Sequence, residues 1–170
     1  MKFLKKYNDD KKFKDSYLED RLSFFDIKSS DFNKRITGKA LAAIIDVQQE
    51  DFMMTLICIA DGTADIYCSN GNKNIGLSKD FKNLKTASKA LLSTARKIKR
   101  SATLIENDNY NVDFNDHCIY IVEDEGVYKR DLVFSYDNEN NNDNKLICLK
   151  YTQVLTEIQE VLKDKKRFML

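Results

Sequence analysis

The feature that most constrains the fold is a pair of β-rich runs separated by two residues. Residues 53–60 and 63–69 are rich in apolar and β-branched side chains, and only Asp61-Gly62 lies between them. Because Asp-Gly favours the backbone of a tight type I′ turn, this segment predicts a β-hairpin. A chain built around such a hairpin is expected to form an antiparallel sheet.

The remaining strands follow from the spacing of apolar residues and turn residues. Residues 40–48 form a dense apolar run that is typical of a central strand. The second half of the chain predicts strands over residues 102–106, 117–123 and 127–136, with a further short strand over residues 111–114 as an option. The last two long strands meet around Glu125-Gly126, which predicts a second hairpin.

Three segments show the three-and-four spacing of amphipathic helices, namely residues 11–25, 79–100 and about 149–166. The apolar positions of the first are Phe13, Tyr17, Leu18, Leu22 and Phe25. Ser78 is the predicted N-cap of the second helix, with Asp80 in its first turn. The polar residues 137–145, which precede the third helix, predict a solvated loop.

These elements predict an α+β fold with a single antiparallel sheet of about five to six strands and helices packed on it, in the order α-βββ-α-βββ-α. A chain of 170 residues with 42% hydrophobic content is large enough for one sizeable core. We therefore expect residues 1–39 to form a helical N-terminal arm and residues 40–170 to form a single α+β domain.

A series of short motifs spans the predicted hairpin and the turn after it. It consists of Thr55-Leu56 with Asp61-Gly62-Thr63, then Tyr67-Cys68-Ser69, then Ile75-Gly76. This pattern resembles that of a family of small bacterial proteins with no assigned activity, over most of residues 40–165. The order of elements is also similar to that of profilin-like and roadblock-type domains. The likeness to roadblock-type domains implies self-association or partner binding, and neither resemblance supplies a reaction.

Residue types that perform catalysis or bind metals are sparse. The four cysteines, Cys58, Cys68, Cys118 and Cys148, lie far apart in apolar or strand-like runs, which favours reduced, buried thiols over a disulfide or metal framework. The single histidine, His117, has no motif around it that would supply a nucleophile or an orienting carboxylate. We predict no catalytic residue, no metal site and no cofactor.

One glycine pair has the spacing of a phosphate-binding loop. Gly71 and Gly76 lie between a predicted strand and a predicted helix, but Leu77-Ser78 follows where such a loop needs Lys and then Ser or Thr. The sequence therefore favours two ordinary turns over a nucleotide site.

The layout of charge is the clearest functional signal. The net charge is only +1, but residues 79–100 contain eight Lys or Arg and one acidic residue, whereas residues 101–145 contain three Lys or Arg and eleven Asp or Glu. Such segregation predicts a polarised surface. The helix dipole favours cations at a helix C-terminus but does not explain those earlier in the helix. The residues predicted to dock a partner are Lys82, Lys85, Lys89, Arg96, Lys97, Lys99 and Arg100.

These patterns favour a non-enzymatic interaction or scaffold module that docks an acidic protein, or a second copy as a homodimer, through the basic helix and an exposed strand edge. One alternative is a small-ligand sensor or enzyme with a pocket between the sheet and the middle helix, lined by Tyr67, Cys68 and Tyr120. Another is an accessory or immunity-type protein that binds one acidic partner. The biological process is not indicated.

Other partners and locations are less favoured by the same residues. Nucleic acid is an unlikely partner, because the acidic second half would repel phosphates. No apolar run reaches the roughly 18–20 residues of a transmembrane helix, and the N-terminal lysines with Phe3, Leu4 and Tyr7 predict at most a weak peripheral membrane contact. Polar residues replace the apolar region of a signal peptide, so a cytoplasmic location is expected.

Overall fold

A computed structural model describes residues 12, 14–32, 40–78, 81–106, 110–112, 116–134 and 142–168 of the chain. Within these residues, three helices and seven strands form an α+β fold. The strands make one open antiparallel sheet. The fold class and the single sheet predicted from the sequence are confirmed, with seven strands in place of five or six.

The elements in chain order are α1 (residues 14–22), β1 (Ala42–Gln48), β2 (Met53–Ile59), β3 (Ala64–Cys68), β4 (Lys73–Asn74), α2 (Lys82–Ile98), β5 (Thr103–Leu104), β6 (Cys118–Glu123), β7 (Gly126–Asp131) and α3 (Asn142–Phe168). The strands lie in the order β4-β3-β2-β1-β6-β7-β5, and every neighbouring pair is antiparallel. The densely apolar β1 is therefore the central strand, as its composition predicts.

Both predicted hairpins are confirmed, as β2–β3 and β6–β7. The loop of the first is longer than a two-residue turn, because the Ile59 amide donates to the Thr63 carbonyl at 2.9 Å and leaves Ala60, Asp61 and Gly62 between them. Gly62 has a φ of 97°, a left-handed conformation that glycine adopts without steric cost. This geometry matches a three-residue loop in which glycine occupies the left-handed position, in place of the predicted type I′ turn.

The additional strand is β4, which pairs with β3 where the sequence predicts only turns. It forms because the Cys68 amide donates to the Asn72 carbonyl at 2.8 Å, so that the chain reverses there and runs back beside β3. The short strand predicted over residues 111–114 is not observed: residues 111–112 are not in a strand, and the other two lie outside the described residues.

The sheet is covered on both faces. Alternate residues of β1 point to opposite sides, as the period of a strand requires. Ala43, Ile45 and Val47 belong to a core shared with α2 and α3, whereas Ala42 and Ile44 belong to a second core. The N-terminal segment closes that second core with Tyr17 and Phe25, which are 3% exposed each. Residues 14–32 thus form a layer on the sheet opposite the two long helices.

The first helix is shorter than predicted, and its buried face matches the prediction in part, with Tyr17 and Phe25 in the core and Leu18 packed against it. α1 ends at Leu22 rather than Phe25, because the chain turns there, with the Phe25 amide donating to the Leu22 carbonyl at 3.1 Å. Tyr17 and Arg21, four residues apart, face the sheet, while Leu22 is 44% exposed. Phe13, also predicted on the buried face, lies outside the described residues.

The predicted ends of the two long helices need correction. α2 begins after its N-cap Phe81, which makes no side-chain cap, so Ser78 is not the N-cap; Asp80 lies outside the described residues. α3 begins at Asn142, inside the segment predicted as a solvated loop. Asn144 is only 5% exposed there, and its side chain binds the backbone of Val133 just after β7. This long-range contact stabilises a helix start that local composition disfavours.

None of the helices in the described ranges combines the length and apolar character that a membrane crossing requires.

Candidate docking surface

Five of the seven predicted docking residues share one exposed face of α2. At about 100° per residue, Lys82, Lys85, Lys89, Arg96 and Lys97 fall within an arc of about 120°, and all five are exposed. The buried face of the helix is formed by Leu84, Leu91, Ala95 and Ile98. The amphipathic pattern therefore orients the cations toward solvent.

The β2–β3 hairpin holds the first half of this face in place. Ser88, fully buried on α2, donates a hydrogen bond from its hydroxyl to the Thr63 carbonyl at 2.9 Å. The hairpin loop also passes directly beneath the side chains of Lys85 and Lys89, because a Cβ placed on Gly62 would contact both. The two lysines thus lie across a backbone turn, with their stems packed on it.

The five cations have no acidic residue on their own helix. α2 contains no Asp or Glu between Lys82 and Ile98. Among the residues that the structure describes, none of the five forms an ion pair. We refer to Lys82, Lys85, Lys89, Arg96 and Lys97 as the basic face. Its charges are exposed to solvent and free to attract an anionic partner.

The other two predicted docking residues have partners within the fold. Lys99 is half-buried, donates a hydrogen bond to Glu123 and lies 4.1 Å from the centre of the Tyr128 ring. Burial alone would lower the pKa of Lys99, but the contacts with Glu123 and Tyr128 leave it above its ordinary value. Arg100 lies 3.7 Å from Asp143 in an ion pair, although its side chain is 80% exposed. Lys99 therefore joins α2 to the sheet and does not belong to the basic face.

A groove lies between α2 and α3 and meets the basic face at Lys82. It has a volume of about 500 Å³, and its walls include Lys82, Ala87 and Ala90 of α2 and Leu149 and Thr152 of α3. Leu149 is 55% exposed and adds apolar surface to the groove. The sequence reasoning did not predict this groove, because it depends on how two distant helices pack.

The strand edges, which we also predicted to serve in docking, are short. The outermost strands are β4 and β5, each of two residues. Short edge strands present few unpaired backbone groups to an incoming strand. The described sheet thus favours the helix face over a strand edge as the docking surface.

The glycine pair has the geometry of ordinary turns. Gly71 and Gly76 have φ values of 90° and 66°. The amide of Gly76, which a phosphate would need, already donates to the Asp65 carboxylate at 2.6 Å. A carboxylate at this position would also repel a phosphate.

The ligand pocket predicted between the sheet and the middle helix does not form from the residues proposed for it. Tyr67 and Tyr120 lie in the core on the opposite face of the sheet, and only Cys68 packs on the α2 side. Tyr67 and Cys68 are neighbours in a strand, so their side chains point to opposite faces. The prediction placed all three residues on one side of the sheet and was wrong for the two tyrosines.

The reactive residue types do not cluster in the described part of the chain. The four cysteines are unpaired there, and no group of three or more His, Cys, Asp or Glu side chains is placed to hold a metal ion. Burial raises the pKa of the Cys58 and Cys118 thiols to about 12, with the Asp46 carboxylate adding to the effect at Cys118. These thiols are therefore poor nucleophiles at neutral pH.

Sequence reasoning missed two groups of residues. Arg21 and Asp46 form a fully buried ion pair under the N-terminal segment. A signal for it exists in the sequence, since each is a lone charge in an otherwise apolar stripe. Gln48 and Tyr151 are the second group, and both contain buried polar atoms without a hydrogen-bond partner among the described residues. No local pattern indicates that group.

Comparisons of the chain with protein-family models, curated proteins and solved structures found no match. The resemblance to a family of small bacterial proteins stays a prediction that rests on the motif residues between Thr55 and Gly76.

Proposed function

We propose that this protein is a non-enzymatic interaction module that docks an acidic segment of a partner protein on the basic face of α2. The observation that supports the proposal is the row of five exposed cations with no ion pair in the described residues, beside a groove whose mainly polar lining includes three apolar residues. An accessory protein that neutralises one acidic partner would be a particular form of this function.

The arrangement of the charges favours a binding role over an ordinary solvated face. Lys82 and Lys85 are three residues apart, and Lys85 and Lys89 are four apart, so like charges are neighbours on the helix surface. Such pairs destabilise a helix by about 0.2–0.5 kcal/mol each. A row that weakens its own helix and forms no ion pair within the described part of the chain is well suited to an external anion.

The groove favours a protein over a nucleic acid as the source of that anion. Protein interfaces combine an apolar centre with a polar or charged rim, and Ala87, Ala90 and Leu149 line the groove beside Lys82. An amphipathic helix with an acidic side could bury its apolar residues there and place its carboxylates against the lysines. A nucleic acid would gain little from these three apolar residues, and the Glu157 carboxylate in the groove would repel its phosphates.

The test compares a charge-reversed variant with a matched control. The variant is Lys85→Glu, Lys89→Glu, Arg96→Glu, and the control is Lys12→Glu, Lys28→Glu, Lys145→Glu, which changes the net charge equally at exposed positions outside α2. Binding of fluorescein-labelled poly-glutamate and of a single-stranded oligonucleotide is measured by fluorescence anisotropy at low and high salt. The solution mass is measured by light scattering in the same buffers.

We expect wild type and control to bind poly-glutamate, and the α2 variant to lose this binding. The affinity should fall with salt, because the Debye length shrinks from about 10 Å at 0.1 M to about 3 Å at 1 M. Equal binding by the variant and the control would contradict the proposal, as would tighter binding of the oligonucleotide than of poly-glutamate. A salt-sensitive dimer that only the α2 variant loses would identify the partner as a second copy.

A further inference from the structure

A second cavity lies on the α3 side of the sheet, away from the basic face. It has a volume of about 530 Å³ and is bounded by the ends of β1 and β6 and by the middle of α3. The cavity exists because α3 packs along α2 and approaches the strands less closely. Its volume lies in the range of about 300–1,000 Å³ that is typical of small-molecule sites.

Two buried polar atoms at this cavity have no hydrogen-bond partner among the described residues. They are the hydroxyl oxygen of Tyr151 and the side-chain carbonyl oxygen of Gln48, and both residues line the cavity. Tyr151 is only 5% exposed, and burial raises the pKa of its hydroxyl, so the group stays protonated. The Gln48 amide nitrogen donates to the Gln49 carbonyl, which leaves the Gln48 oxygen as an acceptor.

His117 adds a third polar group with a defined role. The backbone amide of Gln48 donates to His117 Nδ1 at 3.1 Å, so in the neutral ring the proton resides on Nε2, which can donate. The His117 ring packs edge-on against Phe134 with centroids 5.3 Å apart, and Phe134 packs in the same way against Tyr151. The residues around the cavity therefore carry one acceptor, one donor and a hydroxyl that can act as either, beside three aromatic rings. The two unpartnered atoms have almost no accessible surface, so a ligand reaches them only when the Gln48 and Tyr151 side chains turn toward it.

The walls restrict the charge of the occupant. None of the described residues that line the cavity is Asp, Glu, Lys or Arg, and the apolar ones include Val47, Ile66 and Leu155. A charged ligand would lose its hydration here without gaining a counter-ion. An aromatic ring would pack favourably against Phe134 and Tyr151.

The geometry points to a binding site for a neutral ring compound that carries a hydroxyl or amide group, held by Gln48, His117 and Tyr151 between α3 and the sheet. The Gln48 oxygen accepts from the ligand, His117 Nε2 donates to it, and the Tyr151 hydroxyl completes the contact. This site goes beyond the proposed docking function and does not depend on it, since it shares no residue with the basic face.

The test uses three small probes in an NMR titration of the full chain. Benzamide and phenol are neutral rings with an amide or a hydroxyl, and benzoate is close to benzamide in shape but carries a charge. We expect saturable shifts with benzamide and phenol at the amides of Gln48, His117 and Tyr151, and none with benzoate. Equal responses to benzoate, or the absence of saturable shifts with both neutral probes, would overturn the inference.

The matched variants are Tyr151→Phe and Tyr128→Phe. Tyr151→Phe removes only the unpartnered hydroxyl and should weaken probe binding about tenfold, as the loss of one hydrogen bond implies. Tyr128 lies on β7 outside the cavity, so its variant should bind like wild type.

The ligand-free protein supplies a second readout. The Tyr151→Phe variant should unfold at the same urea concentration as wild type or higher, because the fold gains nothing from an unpartnered buried hydroxyl. A lower midpoint would show that the hydroxyl already has a structural role, and would overturn the inference.

Discussion

Arg21 on α1 and Asp46 on β1 form a buried ion pair with side chains that are 0% and 2% exposed. Arg21 Nη2 lies 2.6 Å from Asp46 Oδ2, and Nε donates to the same carboxylate at 3.0 Å. Thr55 donates to Asp46 Oδ1 at 2.6 Å, and Tyr17 in turn contacts the Thr55 hydroxyl at 2.6 Å. The network joins the N-terminal segment to the two central strands.

The surroundings of the guanidinium explain why this pair is stable inside the protein. Arg21 Nη1 donates to the Tyr110 carbonyl at 2.7 Å, and the rings of Phe25 and Tyr120 lie 4.8 and 5.0 Å from its central carbon. Burial alone would lower the pKa of Arg21, but Asp46 outweighs this effect and leaves it above its ordinary value. Arg21 therefore stays charged in the folded protein.

Loss of Arg21 should destabilise the protein strongly. We expect Arg21→Met to lower the free energy of unfolding by about 3–5 kcal/mol, because Asp46 would keep a buried charge without its partner. Urea unfolding followed by circular dichroism measures the change. The double variant Arg21→Met, Asp46→Leu should regain much of the loss, since it leaves no buried charge.

A matched surface pair provides the control. Lys73 on β4 and Asp20 on α1 lie 3.1 Å apart with side chains 49% and 35% exposed, so this pair also connects the N-terminal segment to the sheet. Lys73→Ala should cost about 0–1 kcal/mol. Similar losses for Lys73→Ala and Arg21→Met would contradict the role assigned to burial.

Asn144 should be essential for the start of α3. Its side chain accepts from the Val133 amide at 3.1 Å and donates to the Val133 carbonyl. Asn144→Ala should lower the free energy of unfolding by about 1–3 kcal/mol, because the partly buried amide and carbonyl of Val133 lose both of these hydrogen bonds. Thermal and urea unfolding measure the effect. Lys145→Ala, at the exposed neighbouring position, should change stability little; an equal loss there would contradict the assignment.

Asp65 should make stability depend on pH. Burial raises the pKa of Asp65 above 3.8, the Asp61 carboxylate adds to this, and the hydrogen bond from Gly76 acts in the opposite direction. The folded state then binds this proton more tightly than the unfolded state, so the Asp65 contribution to stability falls as pH rises through the raised pKa.

Asp65→Asn can keep the hydrogen bond from Gly76 and removes the buried charge. The variant should therefore be more stable than wild type at neutral pH, and its advantage should shrink as pH falls through the raised pKa of Asp65 toward about 4. Urea midpoints across a pH series measure this, with Asp51→Asn at an exposed turn as the control. An advantage that grows on acidification would contradict the assigned direction.

The four cysteines should react in two classes. Cys58 and Cys118 are 0% and 4% exposed, and their pKa values are raised to about 12. Cys68 and Cys148 are half-buried, so reagent can reach them more readily, although burial raises their pKa values too. Alkylation with iodoacetamide at pH 8, followed by peptide mass spectrometry, should modify Cys68 and Cys148 first. Early modification of Cys58 in the native protein would contradict its burial.

Local patterns were enough to determine much of this fold. The Asp61-Gly62 signal predicted the first hairpin, and the three-and-four spacing of Leu84, Leu91 and Ile98 predicted which side of α2 is buried. The same spacing predicted the exposed side, and hence the basic face. These features depend on residues that are close together in the chain, so their periodicity is readable in a single sequence.

Only the tertiary structure decided the remaining features, because each depends on residues far apart in the chain. α3 begins at Asn142 because Asn144 meets Val133, and Lys99 leaves the basic face because it meets Glu123. Arg21 is buried because β1 places Asp46 opposite it. The groove and the cavity beside α3 arise from how separate elements pack. Propensity and periodicity are properties of neighbouring residues, whereas pairing a buried charge or leaving a space between layers requires the whole fold.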